Sequence, residues 1–124
     1  MPSADRHREW AKRNRDVYDH IGGAASYWGD WAITLLFYSA VHEISAFLTE
    51  HVSDLQAAGF QAPTNHKERK LILRTLWPSL AMLYEPLEQR SWGARYHCRV
   101  FAETEIKLGE GLLKKLQAEI KSLG

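Results

Sequence analysis

A chain of 124 residues, 45% hydrophobic and 25% charged, suits one domain (1–124) with its own core and is too apolar for a disordered segment. Its formal charge of +1 points to no partner by itself. The single cysteine, Cys98, excludes an internal disulfide and a cysteine-based zinc site and suits a reducing, cytoplasmic setting.

The opening stretch, "MPSADRHREWAKRNRD", is charged with no apolar run behind it, so it does not read as a signal peptide. Instead it starts a helix, capped by Ser3 and running to about His20. Trp10, Val17 and Tyr18 form its apolar stripe, with Arg6, Arg8, Lys12, Arg13 and Arg15 opposite. Gly22 and Gly23 break the chain, and a long second helix runs from about Trp28–Asp30 past His51, to about Leu55. Its segment Trp31–Leu48 is long enough to span a bilayer, yet His42 and Glu43 sit near its middle. A charged residue there costs about 2.5–3.5 kcal/mol even on lenient scales. A buried central helix, with no membrane partner, is the better reading; being apolar nearly all round, it must be covered on several faces.

"AGFQAPTN" (58–65) is a loop, and Thr64 or Asn65 caps a third helix that stops near Trp77, before Pro78. The fourth starts at about Ser79, with a kink or restart expected at Pro86. The last, from about Phe101 to Leu123, is amphipathic with evenly mixed charge. No stretch alternates for long and no hairpin turn appears, so the fold class expected is all-α: an antiparallel bundle of four to five helices.

Near-neutrality hides a charge pattern. Lys67, Arg69, Lys70 and Arg74 stand against Glu68 alone, and Arg90, Arg95 and Arg99 against no carboxylate within 90–99. Side by side, these two segments would make a basic strip that attracts a polyanion in a salt-dependent way. The other reading of the same charges is ordinary solvated helix faces.

"RSWGARYHCR" (90–99) carries the chemistry. Seven helical steps of 100° return His97 to within about 20° of the face of Arg90, about 10 Å further along the axis. Gly93 lies between them, where a missing side chain lets a ligand or partner backbone come close. A guanidinium grips a phosphate, and an imidazole moves protons near neutral pH. Together they suit RNA cleavage without metal, with the 2′-hydroxyl as internal nucleophile. One such pair is half of an acid–base set, and a symmetric dimer supplies the other half. No metal is called for: there is neither a His-Glu-x-x-His motif nor paired Glu-x-x-His motifs, and no phosphate-binding glycine loop or cofactor motif.

The chain resembles the HEPN superfamily, over roughly residues 5 to 120. "DWAITLLFYSAVHEISAFL" (30–48) is similar to the family's aromatic-rich second helix with its "FYxAxH" core. "HKERK" (66–70) is similar to the His-x-x-Arg start of the next helix. "RSWGARYH" (90–97) matches the family's arginine–histidine signature at its longest spacing and carries the Ser-x-x-Ala-Arg-Tyr string of a small branch. The resemblance implies a helical bundle that dimerises through its second and fourth helices and, in catalytic members, cuts RNA without metal. Carried over, Arg90 is the phosphate-binding arginine and His97 the general acid or base, although Ser91 stands where catalytic members usually place Asn, Asp or His.

The leading expectation is therefore a ribonuclease of a toxin or phage-defence system, with Arg90 and His97 catalytic and Lys67, Arg69, Lys70, Arg74 and Arg95 on RNA. The alternative is a non-catalytic subunit of a defence or toxin–antitoxin complex that binds RNA, nucleotide or a protein partner; a plain dimeric scaffold is the third. His42 reads as a satisfied core histidine, and His66 and Arg69 as organisers of their helix start. Arg95 and Tyr96 read as an aromatic in the bundle with an arginine over it, or as dimer contacts, and Cys98 as a packed small hydrophobe. Trp10, Trp31 and Trp77 fall at core-like positions, whereas Trp28 and Trp92 are expected at the surface.

Overall fold

The computed structural model describes residues 2–124. Among them run six helices and no strand: α1 (Ala4–His20), α2 (Gly29–Glu50), α3 (Val52–Ala57), α4 (His66–Leu76), α5 (Pro78–Tyr96) and α6 (Glu103–Leu123), with a 3₁₀ turn at Gly23–Ala25. The all-α bundle expected from the sequence is present, with one helix more than the five anticipated.

Local chemistry sets the boundaries. The Ser3 side chain accepts the Arg6 amide at 3.1 Å, and Asn65 accepts the Glu68 amide at 2.8 Å, each satisfying an orphan donor of a first turn. At the end of α2, His51 leaves the helical region (φ −116°, ψ 28°), and its Nδ1 donates to the Phe47 carbonyl at 2.8 Å. The expected long second helix therefore divides, and α3 is a separate element. Pro78 occupies the first turn of α5, where its missing N–H is harmless. Pro86 does not end that helix: α5 runs through it and through Gly93.

α2 is the central helix. It is long and apolar enough to cross a membrane by length and composition, but 67% of its most apolar window is buried inside the protein. α1 lies antiparallel along it. Arg15 donates to Glu43 at 2.8 Å, and the hydroxyl of buried Ser39 donates to the Ala11 carbonyl at 3.0 Å. α5 and α6 form an antiparallel pair, tied by Ser79–Glu119 at one end and Arg99–Glu105 at the other. α6 reaches α2 closely because Gly109 has no side chain: a Cβ there would stand 3.3 Å from Leu36 Cδ1 and 3.4 Å from Ile33 Cδ1. The core so enclosed holds Ile33, Leu36, Phe37, Ile44, Phe47, Leu80, Tyr84, Leu87 and Ile106.

Some placements differ from expectation. Trp31 is 60% exposed rather than in the core, because α2's uncovered face begins at its first turn. Val17 is exposed, and Ala11 and Tyr18 carry the buried stripe of α1. Cys98 is exposed and left-handed (φ 50°), since it lies past the end of α5 rather than on it. Trp77 packs edge-on against Phe47, and Trp28 and Trp92 are exposed as anticipated.

Candidate functional site

The end of α5 carries the pair singled out in the sequence. The backbone keeps its helical course up to His97, whose amide still donates to the Gly93 carbonyl at 3.2 Å. Arg90 and His97 therefore share a face about two turns apart, but their side chains do not meet. The Arg90 guanidinium donates to the Pro86 carbonyl at 3.3 Å and has no carboxylate partner among the described residues. His97 is exposed, and its Nε2 accepts the Trp92 indole N–H at 2.6 Å. Because the indole can only donate, neutral His97 carries its proton on Nδ1. Gly93 is not open to a ligand: Cys98 turns the chain back, and the Arg99 side chain covers it, 3.2 Å from where a Cβ would stand.

Around this pair lies an aromatic surface. Trp92 and Tyr96 are 53% and 60% exposed, with ring centroids 4.6 Å apart. Arg95 lies beneath it, donating to the Tyr38 hydroxyl at 3.0 Å and passing over the rings of Phe37, Tyr38 and Tyr96 at 5.1 to 5.5 Å. Arg95 does lie over aromatic rings, whereas Tyr96 is exposed rather than inside the bundle.

α4 does lie against α5, yet the basic strip is largely neutralised. Lys70 pairs with Glu88 at 3.0 Å, Arg74 with Glu85, and Arg99 with Glu105. The carboxylates come from α5 and α6, outside the segments whose charges were counted in the sequence. Arg69 turns inward. Among the basic side chains of these two segments, Lys67 and Arg90 alone face neither a carboxylate nor the interior hydrogen bonds that hold Arg69 and Arg95.

A second constellation was not anticipated as a unit. His7 of α1 and His42 of α2 meet Nδ1 to Nδ1 at 3.1 Å, so one must donate and the other accept. Nearby, His66 Nδ1 takes the Arg69 guanidinium N–H at 2.9 Å and lies 3.3 Å from the Tyr84 hydroxyl. Burial lowers the pKa of all three histidines, and the Arg69 charge lowers each further; at His42, protonation of His7 adds to the effect. Burial pushes the Tyr84 hydroxyl up to about 12. His42 is thus the satisfied interior histidine expected, and His66 and Arg69 do organise the start of α4. What the sequence reading missed is that they converge with His7. The available signal was the spacing of His7, Ala11 and Tyr18, which puts His7 on the inner face of α1.

No three metal-ligating side chains converge among the described residues. Compared with family models, curated proteins and solved structures, the chain matches none.

Proposed function

We propose that the chain is a HEPN-like, metal-independent endoribonuclease of a toxin or phage-defence system, working as a homodimer with Arg90 and His97 as its catalytic groups. The observation that carries this reading is the surface at the end of α5, where two exposed aromatic rings and an exposed imidazole lie together and an arginine with no carboxylate partner among the described residues stands two turns earlier on the same helix. Aromatic faces stack on unpaired bases, worth about 1–3 kcal/mol per base, and the guanidinium supplies forked donors for a phosphate.

In the reaction, the 2′-hydroxyl of single-stranded RNA attacks its own phosphorus and loses its proton to a general base. Arg90 stabilises the charge building on the non-bridging oxygens. The departing 5′-oxygen takes a proton from His97, leaving a 2′,3′-cyclic phosphate. To give that proton His97 must be the imidazolium, whose Nε2 is itself a donor, so the step requires the Trp92 hydrogen bond to open. The His97 of a second copy, neutral and with its Nε2 likewise released by Trp92, is the complementary base.

A second reading rests on the same hydrogen bond. Trp92 engages the imidazole, and this favours a module that binds RNA, nucleotide or a protein partner without cutting. Lys67 and Arg90 would then supply phosphate contacts.

The test is cleavage of a fluorescent single-stranded RNA, in EDTA, by wild type, Arg90→Ala and His97→Ala. The nuclease reading expects cutting by wild type alone, a 2′,3′-cyclic phosphate product, and none on a 2′-deoxy strand. RNA binding that weakens with salt and on Trp92→Ala, without cutting, selects the RNA-binding form of the second reading; neither binding nor cutting overturns both the nuclease and that form.

A further inference from the structure

Between the start of α1, the second half of α2, α3 and α4 lies a cavity of about 430 Å³. That is within the range that holds a small organic ligand. It lies toward the C-terminal end of α2. The α5–α6 connection packs at the opposite end, where Gly29 faces Phe101. Buried Leu48 and Leu55, together with Val52, Ala62 and Pro63, give it apolar walls.

His7 and Arg69 line it as well, and no Asp or Glu does. Arg69 brings a permanent positive charge, and no carboxylate pairs with it among the described residues. Its hydrogen-bond partners are both uncharged: NH1 donates to His66 Nδ1 at 2.9 Å and to the Tyr84 hydroxyl at 3.4 Å. Its Nε is buried with no partner at all. A guanidinium has five N–H donors, so most of this fork is unused. An unpaired, partly buried cation at one end of an apolar cavity is complementary to an anion with an apolar tail.

We propose that this cavity binds a small amphiphilic oxyanion, a medium-chain carboxylate or alkyl phosphate. Its tail lies among Leu48, Val52 and Leu55, its headgroup lies on Arg69, and His7 stands beside the headgroup. The apolar walls exclude a bare phosphate as the preferred ligand, and the charged end excludes a neutral lipid.

Titration calorimetry of the full chain with octanoate, octyl phosphate, octanol, acetate and adenosine monophosphate tests this. Octanoate or octyl phosphate should bind, the tighter of the two naming the headgroup, with octanol and acetate at least tenfold weaker. Arg69→Gln should weaken binding tenfold or more. Because Arg69 also holds His66 and Tyr84, Val52→Asp serves as a second variant. It places a repelling carboxylate on the cavity wall, at a helix start that tolerates negative charge, and should cause a comparable loss with the helical circular dichroism unchanged. Octanol binding as tightly as octanoate, oxyanion binding unaffected by Val52→Asp, or binding of adenosine monophosphate alone would each overturn the proposal.

Discussion

Acidification from pH 7.5 to 5.5 should destabilise the fold through His7, His42 and His66. All three have pKa values lowered from the ordinary 6.5, by burial first and then by neighbouring charge. A histidine whose folded pKa is depressed binds fewer protons folded than unfolded. Its stabilising contribution is therefore complete above pH 6.5 and is lost as pH falls from there toward the folded value. Each proton taken up preferentially by the unfolded chain gives a slope of about 1.4 kcal/mol per pH unit, so three histidines set a ceiling of about 4. The real slope lies below this, because the unfolded histidines are only partly protonated near pH 6.5 and the folded ones take up some protons lower in the window; repulsion between His7 and His42 acts the other way, opposing uptake by the folded chain. Glu85, paired with Arg74, and Glu110, bonded to Tyr18, are held below the ordinary carboxylate value of 4.5. Their contributions are lost only at lower pH and leave the window above 5 to the histidines. Urea unfolding at half-unit pH steps measures the slope. His66→Gln keeps an acceptor for Arg69 while removing one titrating group, so it should flatten the slope by up to about 1.4 kcal/mol per pH unit. Stability independent of pH across this window, or a His66→Gln slope equal to wild type, would refute the reasoning.

Two glycines in α6 should respond oppositely to alanine. At Gly111 a Cβ meets nothing within 4 Å, so Gly111→Ala should stabilise by about 0.5–1 kcal/mol, read as a higher urea midpoint at constant m. At Gly109 the methyl presses on Leu36 and Ile33, and overpacking of about 1–3 kcal/mol should cancel or reverse that gain. Ser39→Ala removes a buried hydroxyl that bonds the Ala11 carbonyl and Arg15, and should cost about 1–2 kcal/mol in the same assay; an unchanged midpoint would mean that the α1–α2 contact does not depend on it.

The helix starts were legible because their causes are local: Ser3, Asn65 and Pro78 each act within one turn of their own position. The break at His51 was not, since α2 is apolar on nearly every face and its periodicity gives no edge; the same uniformity misplaced Trp31. Which face an inner residue presents was legible, but which residues of other helices it meets was not. His7 and His42 are 35 residues apart, and their contact depends on how α1 is rotated against α2. The basic segments looked uncompensated because Glu85, Glu88 and Glu105 pair with them across helix boundaries. At the Arg90 and His97 positions, the shared face followed from helical geometry. The chain reversal at Cys98, which folds Arg99 over Gly93, had no signal in composition or spacing.

The central position of α2 also has a consequence for biosynthesis. α1, which comes first, covers only part of α2; α5 and α6, which cover much of the rest, end 46 and 73 residues after α2 does. At about 5–20 residues per second, translation leaves a segment of membrane-like apolarity incompletely covered for roughly 4–15 s before α6 is complete. Until then, the faces of α2 that α5 and α6 cover in the folded protein have no partner within the chain.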